Sequence, residues 1–491
     1  MSTAARPRDA ARQGQAAVAL RARPRAVALT LAKHAPVLAL LVGVPGLGAM
    51  AEQEWALAAA LMVPTCALAA LGLWSRKSIV SDDLRRIEAV VSLALIFVIS
   101  TVIAAPAFVV LGMPWLDALF EAASGITTTG LSVATNSDSW PISAHLLRGW
   151  LQWCGGVVVA VAGVALLMDS QSAAQVLGKE AVGRSDVFGS TRAKARLVLT
   201  SYVAITVFGI AMSIPLFPGW WEGPMIVLAA VSTGGFAPRG SSLAEYSLVA
   251  QGFAIFLCVT TAVSLLFYAV AWRRGLRVAW QRGTVPITLG LLAGGATIYG
   301  LAQLAFAGAT AREAYASILN YLSAQTTAGF SAGPIVPVGP LTLILLVAML
   351  LGGDLGSTTG GLKTARTSVL KRIVGLVFLR LRMPNRALSH LKVGDKRADD
   401  EAILMAAALL AIYLFAALIL WGAFYAAGHP VLPALFDAMS ALSCVGLSTG
   451  VIGPELAPHL KALTILAMLL GRLEFFVLIA LFLPSTWISR R

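Results

Sequence analysis

The sequence predicts an all-α, polytopic membrane protein built around four copies of a helix–half-helix–helix unit, and three observations predict it. Apolar runs of about 20 residues, the length that crosses a bilayer as a helix, recur along the whole chain. Basic residues gather in alternate connections between those runs. The other connections hold four copies of one short segment that ends in a glycine turn.

Composition sets the class. Of the 491 residues 58% are hydrophobic and 12% charged, with a mean hydropathy of +0.82. A soluble domain carries roughly 25% charged residues, and a large soluble helical protein would need polar helix faces that these runs lack. The net charge of +14 would suit nucleic acid in amount but not in distribution, so no nucleic-acid partner is expected. Cys66, Cys154, Cys258 and Cys444 lie in or beside apolar runs, with no CxxC pair and no Cys/His spacing for a disulfide framework or a zinc site. The five histidines (His34, His145, His390, His429, His459) form no cluster, and no nucleophile or acid/base pair stands out. No enzymatic activity and no organic cofactor are expected.

The apolar spans fall near 34–50, 54–74, 87–111, 146–168, 196–217, 247–272, 285–307, 340–380 (interrupted), 402–427 and 460–484, ten in all. Residues 1–33 precede them as a basic, disordered arm. Of the 37 Lys and Arg residues, 32 lie in that arm, in 75–88, 178–196, 272–283, 363–397 or at the C-terminus. Only Arg148, Arg239, Arg312, Lys461 and Arg472 do not. Alternate connections are therefore cytoplasmic, with both termini inside. The basic loops suit anionic membrane lipid.

Four outward connections are too long for turns and too apolar for loops. They align without gaps: ALFEAASGITTTGLS (118–132), GPMIVLAAVSTGGFA (223–237), SILNYLSAQTTAGFS (317–331) and ALFDAMSALSCVGLS (434–448). The first and last agree at eight of fifteen positions. The shared glycines are Gly130, Gly235, Gly329 and Gly446. Each segment is too short to span as a helix, but it can enter the membrane and return where protein shields its backbone. The chain divides accordingly into a 34–75 two-helix unit and pore repeats at 76–180, 181–283, 284–398 and 399–491. Units with an even number of spans share one orientation and can close around an axis normal to the membrane.

This arrangement has a chemistry. A half-helix ends on unpaired carbonyls and the negative end of its dipole, so four such ends aimed at one axis favour a cation. Residues beyond them can turn carbonyl oxygens inward in place of an ion's hydration shell. Glycine supplies φ > 0 and no Cβ in a narrow passage. Neutral oxygens without a carboxylate ring suit a monovalent cation better than Ca²⁺. Glu121, Asn320 and Asp437 share one position of the repeat and are expected to accept hydrogen bonds from neighbouring backbone N–H groups around the glycine turns.

On these residues the chain resembles the Trk/Ktr/HKT superfamily of potassium transporters, and within it the TrkH family of subunits. TTTGLS, STGGFA, TTAGFS and CVGLS are similar to its four filter sequences. LLRGWLQWCGG (146–156), GGDLGSTTGGLK (352–363) and GRLEFFVLIALFLPSTW (471–487) are similar to its helix after the first filter, its intramembrane loop and its last helix. The extra first two spans favour TrkH over KtrB, whereas CVGLSTG is KtrB-like. The resemblance implies K⁺ as the transported ion and a bacterial inner-membrane location. It also implies a homodimer and a TrkA-like cytosolic nucleotide-binding regulatory subunit. Proton- or sodium-coupled cation symport on the same fold is the alternative.

Carried over residue by residue, the implied filter comprises Thr128, Thr129 and Gly130; Thr233, Gly234 and Gly235; Thr327, Ala328 and Gly329; and Cys444, Val445 and Gly446. All four glycines are present, the pattern that goes with potassium rather than sodium. Cys444 departs from the usual polar residue and is expected to weaken one ion site.

The eighth span cannot be one continuous helix, because five glycines lie within 352–361 around a Ser-Thr-Thr core. GSTTGGLKT is superficially like a phosphate-binding loop, but Leu362 separates Gly361 from Lys363 and no strand precedes it. The resemblance implies that Gly353, Asp354, Gly356, Ser357, Thr358, Thr359, Gly360, Gly361 and Lys363 form a gating loop beneath the filter. Arg472 is either a snorkelling interfacial arginine or a pore-facing cation that contacts this loop, with Asp354 as its candidate partner.

Overall fold

The computed structural model describes residues 21–75, 84–163, 191–281, 284–335, 339–382, 392–393, 396–397 and 400–488. The first unit is a helical hairpin of α1 (Pro24–Ala51) and α2 (Trp55–Ser75). Small residues let the two backbones approach. A Cβ on Gly72 would fall under 3.0 Å from the ring of Pro36, and one on Gly46 under 3.0 Å from Met62. Helix α1 starts about ten residues before its apolar run, so 24–33 is helix and not disordered arm. The cause is Pro24 at the first helical position together with an anchor at Arg23. The Arg23 side chain donates to both carboxylate oxygens of Glu88 (2.7 and 2.9 Å) at the start of α3 (Arg86–Val110).

Four repeats follow. Repeat one is α3, half-helix α4 (Trp115–Ile126) and α5 (Ile142–Ala162). Repeat two is α6 (Thr191–Ser213), half-helix α7 (Glu222–Val231), α8 (Leu248–Ala262), α9 (Leu265–Arg274) and α10 (Leu276–Gln281). Repeat three is α11 (Val285–Phe306), half-helix α12 (Ala311–Gln325), α13 (Pro340–Leu351) and α14 (Thr364–Leu381). Repeat four is α15 (Asp400–Ala426), half-helix α16 (Val431–Ser443), α17 (Pro458–Arg472), α18 (Phe476–Phe482) and α19 (Pro484–Trp487). Two two-residue strands, β1 (Lys392–Val393) and β2 (Lys396–Arg397), pair antiparallel between repeats three and four. They are a small exception to the all-α expectation.

The half-helices are 10 to 15 residues long, about 15–22 Å at 1.5 Å per residue, so none crosses the bilayer. Their starts are encoded locally. Pro114 and Pro430 occupy the residue just before α4 and α16, and Thr310 with Glu313 closes a capping box on α12. The residue after each shared glycine is apolar and buried: Leu131, Phe236, Phe330 and Leu447.

Among the described residues, six helices are long and apolar enough to cross a membrane, or eight if each of two bent pairs counts as one span. The bends correct the expectation of unbroken spans at 247–272 and 460–484. Helices α8 and α9 meet at 78°, and α17 and α18 at 117°. The first break is stable in a membrane because the 352–363 loop takes up the freed backbone groups. Asp354 N–H donates to the Ala262 carbonyl (2.9 Å), and Leu265 N–H donates to the Gly356 carbonyl (3.1 Å). At the second break Glu474 and Phe475 hold left-handed φ of 55° and 60°, and Glu474 pairs with Arg366 at 2.5 Å.

Candidate ion-coordination site

All four half-helices end in the same way. Thr128, Thr233, Thr327 and Cys444 are left-handed, with φ of 53°, 53°, 53° and 52°. Two residues on, Gly130, Gly235, Gly329 and Gly446 take φ of 84°, 80°, 75° and 97°. Threonine rarely adopts such φ, so its recurrence at one position of three repeats marks a backbone shape imposed by the surroundings.

The four segments close a ring. A Cβ on Gly130 would strike the Gly234 carbonyl of repeat two, and one on Gly235 the Ala328 carbonyl of repeat three. One on Gly329 would strike the Val445 carbonyl of repeat four, and one on Gly446 the Thr129 carbonyl of repeat one. All four approaches are under 3.0 Å, so no side chain fits at any of these glycines without displacing a neighbour. The outer ends of repeats one and four are tied as well, by Lys461 on α17 and Asp117 on α4 at 2.7 Å.

Behind the ring, the three polar residues at the shared repeat position hold the chain beyond three of the four glycines. Glu121 accepts from Val133 N–H (3.0 Å) and from the Ser132 hydroxyl. Asn320 accepts from Ala332 N–H (2.8 Å). Asp437 accepts from the N–H groups of Thr449 (2.7 Å) and Ile452 (2.9 Å). Glu121 also faces the buried Arg148 at 3.6 Å, whose guanidinium lies 4.0 Å from the centre of the Phe236 ring.

Below the ring lies the 352–363 loop. Its backbone and hydroxyls bond to three of the four repeats. The Thr358 hydroxyl donates to the Val231 carbonyl at the end of α7 (3.2 Å) and accepts from the Thr233 hydroxyl (3.3 Å). Gly360 N–H donates to the Thr327 hydroxyl (2.7 Å), and Gly361 N–H to the Ser443 carbonyl at the end of α16 (3.2 Å). Ser357 and Thr359 bond to each other at 2.7 Å. Arg472, 3% exposed, donates from Nη1 to the Thr358 carbonyl (2.9 Å). It lines a pocket of about 60 Å³ together with Ser357, Lys363 and Glu474.

The family model for the TrkH cation transport proteins matches residues 89–282 and 305–491, most of the chain and all four repeats. This chain belongs to the TrkH family of cation transport proteins. Among family relatives, TrkH of Halomonas elongata, a Trk system potassium uptake protein, is 28% identical over 395 residues, covering 76% of this chain and 79% of its own. The protein of the same name from Escherichia coli K12 is 27% identical with the same coverage. An uncharacterized cation transporter of Methanocaldococcus jannaschii is 25% identical over 75% of this chain and 76% of its own. The crystal structure of the potassium transporter TrkH from Vibrio parahaemolyticus superposes with a TM-score of 0.80 at 21% identity, covering 93% of this chain and 99% of that one. That likeness shows the fold, a multi-pass helical membrane architecture.

Against this TrkH frame, two expectations need correction. Arg472 does not reach Asp354, whose carboxylate is committed to the Thr284 hydroxyl and to Leu355 N–H (2.8 Å). Its buried position in the last turn of α17, at the 117° bend, also rules out a snorkelling arginine. The Cys444 thiol donates to the Met468 carbonyl on α17 (3.4 Å), a bond made within repeat four. Of the five basic residues outside the basic clusters, Arg148, Arg239 and Lys461 pair with acids and Arg472 with the loop.

One residue that sequence reasoning missed stands behind the second glycine segment. Gln152 on α5 donates from Nε2 to the Gly234 carbonyl (2.5 Å) and accepts at Oε1 from Phe236 N–H (3.1 Å). The available signal was the exception in repeat two, where Ile226 occupies the position held elsewhere by Glu121, Asn320 and Asp437.

Proposed function

We propose that this protein carries potassium ions across a bacterial inner membrane through the ring formed by Thr128–Gly130, Thr233–Gly235, Thr327–Gly329 and Cys444–Gly446. The observation that supports it most is the cyclic packing of Gly130, Gly235, Gly329 and Gly446, each against a carbonyl of the next repeat. Such a ring offers neutral backbone oxygens to a dehydrated monovalent cation. Relatives described as Trk system potassium uptake proteins support K⁺ as that cation. K⁺ is the cargo, and no resident cofactor is needed.

The loop at 352–363 is the gate in this proposal. Its bonds to the ends of three half-helices support a plug under the ring. Arg472 holds the plug through the Thr358 carbonyl and adds a positive charge that opposes passage while the gate is shut. Opening would require Thr358 to leave Val231, Thr233 and Arg472. Relatives that belong to a Trk system support a TrkA-like nucleotide-binding regulator on the cytoplasmic face, where both termini would lie, and assembly as a homodimer.

Growth rescue tests the proposal. A K⁺-uptake-deficient bacterial strain expressing this chain should grow at low external K⁺, and replacing any one of the four ring glycines by serine should abolish or strongly weaken rescue. Robust rescue by all four serine variants would refute the assigned ion path.

A further inference from the structure

The filter segments of repeats one, three and four are each held by a side chain from their own half-helix. Glu121, Asn320 and Asp437 accept the N–H three residues beyond the glycine, at Val133, Ala332 and Thr449. Repeat two lacks both halves of that bond. Its half-helix has Ile226 at the acceptor position, and Pro238 stands three residues beyond Gly235, where there is no N–H to accept. The missing acceptor and the missing donor match, so no buried group is orphaned. The second segment is also left without its own brace.

Helix α5 of repeat one supplies the replacement. It wedges against the ends of two half-helices because glycines face them. A Cβ on Gly155 would strike the Ile126 carbonyl of α4, and one on Gly156 would fall 2.8 Å from Ser232 beyond α7. From this position Gln152 reaches the Gly234 carbonyl (2.5 Å) and Phe236 N–H (3.1 Å), bracketing Gly235. One turn earlier Arg148 donates to the Ala237 carbonyl (3.3 Å) and covers the Phe236 ring. Gln152 is fully buried. The two bonds fix the orientation of its carboxamide, because a flipped amide would set oxygen against oxygen and nitrogen against N–H.

The Gly234 carbonyl is one of the four that pack in the ring, equivalent to those of Thr129, Ala328 and Val445. We infer that Gln152 is the positioning residue that sets ion discrimination: from repeat one it fixes the Gly234 carbonyl of repeat two and makes one quarter of the ring chemically unlike the rest. The inference rests on the proposed filter. A carbonyl that already accepts an N–H is a weaker ion ligand, and a carbonyl held in place cannot close in on a smaller ion. Loss of the clamp therefore raises tolerance for Na⁺ more than it alters total flux.

The test is K⁺ and Na⁺ flux into proteoliposomes for the unaltered protein, Gln152→Met and Gln152→Asn. Met keeps the volume and loses both hydrogen bonds. Asn keeps the amide but is one methylene too short to span both groups. The expected result is at least a tenfold fall in K⁺-over-Na⁺ discrimination for Gln152→Met and a smaller fall for Gln152→Asn. Discrimination should fall while the yield of folded protein stays level. A purely packing role would leave discrimination intact in Gln152→Met, and that outcome overturns the inference. If Gln152→Met fails to fold, unchanged discrimination in Gln152→Asn overturns it equally. Failure of the unaltered protein to pass K⁺ would instead overturn the proposed function.

Discussion

Replacing Gly446 by alanine tests the closed ring directly. The backbone there has φ of 97°, beyond the +50 to +70° well that L-residues tolerate. Left-handed backbone costs an L-residue about 1–2 kcal/mol. The new methyl would also fall under 3.0 Å from the Thr129 carbonyl of repeat one, so repeat one must yield and pass the shift around the ring. Gly428 is the control: its φ is 92°, and a Cβ there meets nothing within 4 Å. Gly428→Ala therefore carries the backbone cost without touching the ring. If about 2 kcal/mol of strain and contact reaches the ion site, K⁺ affinity or K⁺-over-Na⁺ discrimination falls more than tenfold, since a factor of ten is about 1.4 kcal/mol. Flux in proteoliposomes should show that loss in Gly446→Ala alone, with both variants slightly less stable to heat. Equal discrimination in the two variants would refute the claim that Gly446 packs against an ion-coordinating carbonyl.

Three further outcomes follow from the same geometry. Arg472→Gln removes a buried charge and its bond to the Thr358 carbonyl, so basal K⁺ flux should rise several-fold; flux at the wild-type level would count against Arg472 as part of the gate. Deleting residues from the Ser357–Thr359 stretch of the loop should likewise raise flux, and unchanged rates would remove the loop as the barrier. Lys461→Met strands Asp117 at the seam of repeats one and four, and breaking a buried ion pair costs about 3–5 kcal/mol. The thermal midpoint in detergent should fall clearly, and adding Asp117→Asn should recover part of the loss; additive losses in the double variant would exclude direct coupling.

Much of the architecture was legible because bilayer physics leaves few alternatives. A 20-residue apolar run becomes a helix, and a 15-residue run ending in Thr-x-Gly cannot span. Repetition did the rest: the agreement between ALFEAASGITTTGLS and ALFDAMSALSCVGLS marked one unit copied, and the four glycines gave its register. The expected acceptor role of Glu121, Asn320 and Asp437 also follows from position alone, because a polar side chain at the fourth position of each 15-residue segment is buried beside the backbone that follows the glycine and must find donors there. The bends in the sixth and tenth spans were not legible. Hydropathy averages over a window, and 247–272 and 460–484 stay apolar through their breaks.

The sequence by itself determined the class, the four-fold repetition and the left-handed glycine positions, since each depends on local composition or local conformation. Only the tertiary structure decided which side chain serves which backbone group across repeats. It gave Arg472 the Thr358 carbonyl instead of Asp354, and it gave the second glycine segment Gln152 from repeat one. The physical reason is that a buried donor must find an acceptor somewhere within hydrogen-bond reach, but burial sets no limit on how far along the chain that acceptor lies. Gly234 and Gln152 are separated by 82 residues and meet at 2.5 Å.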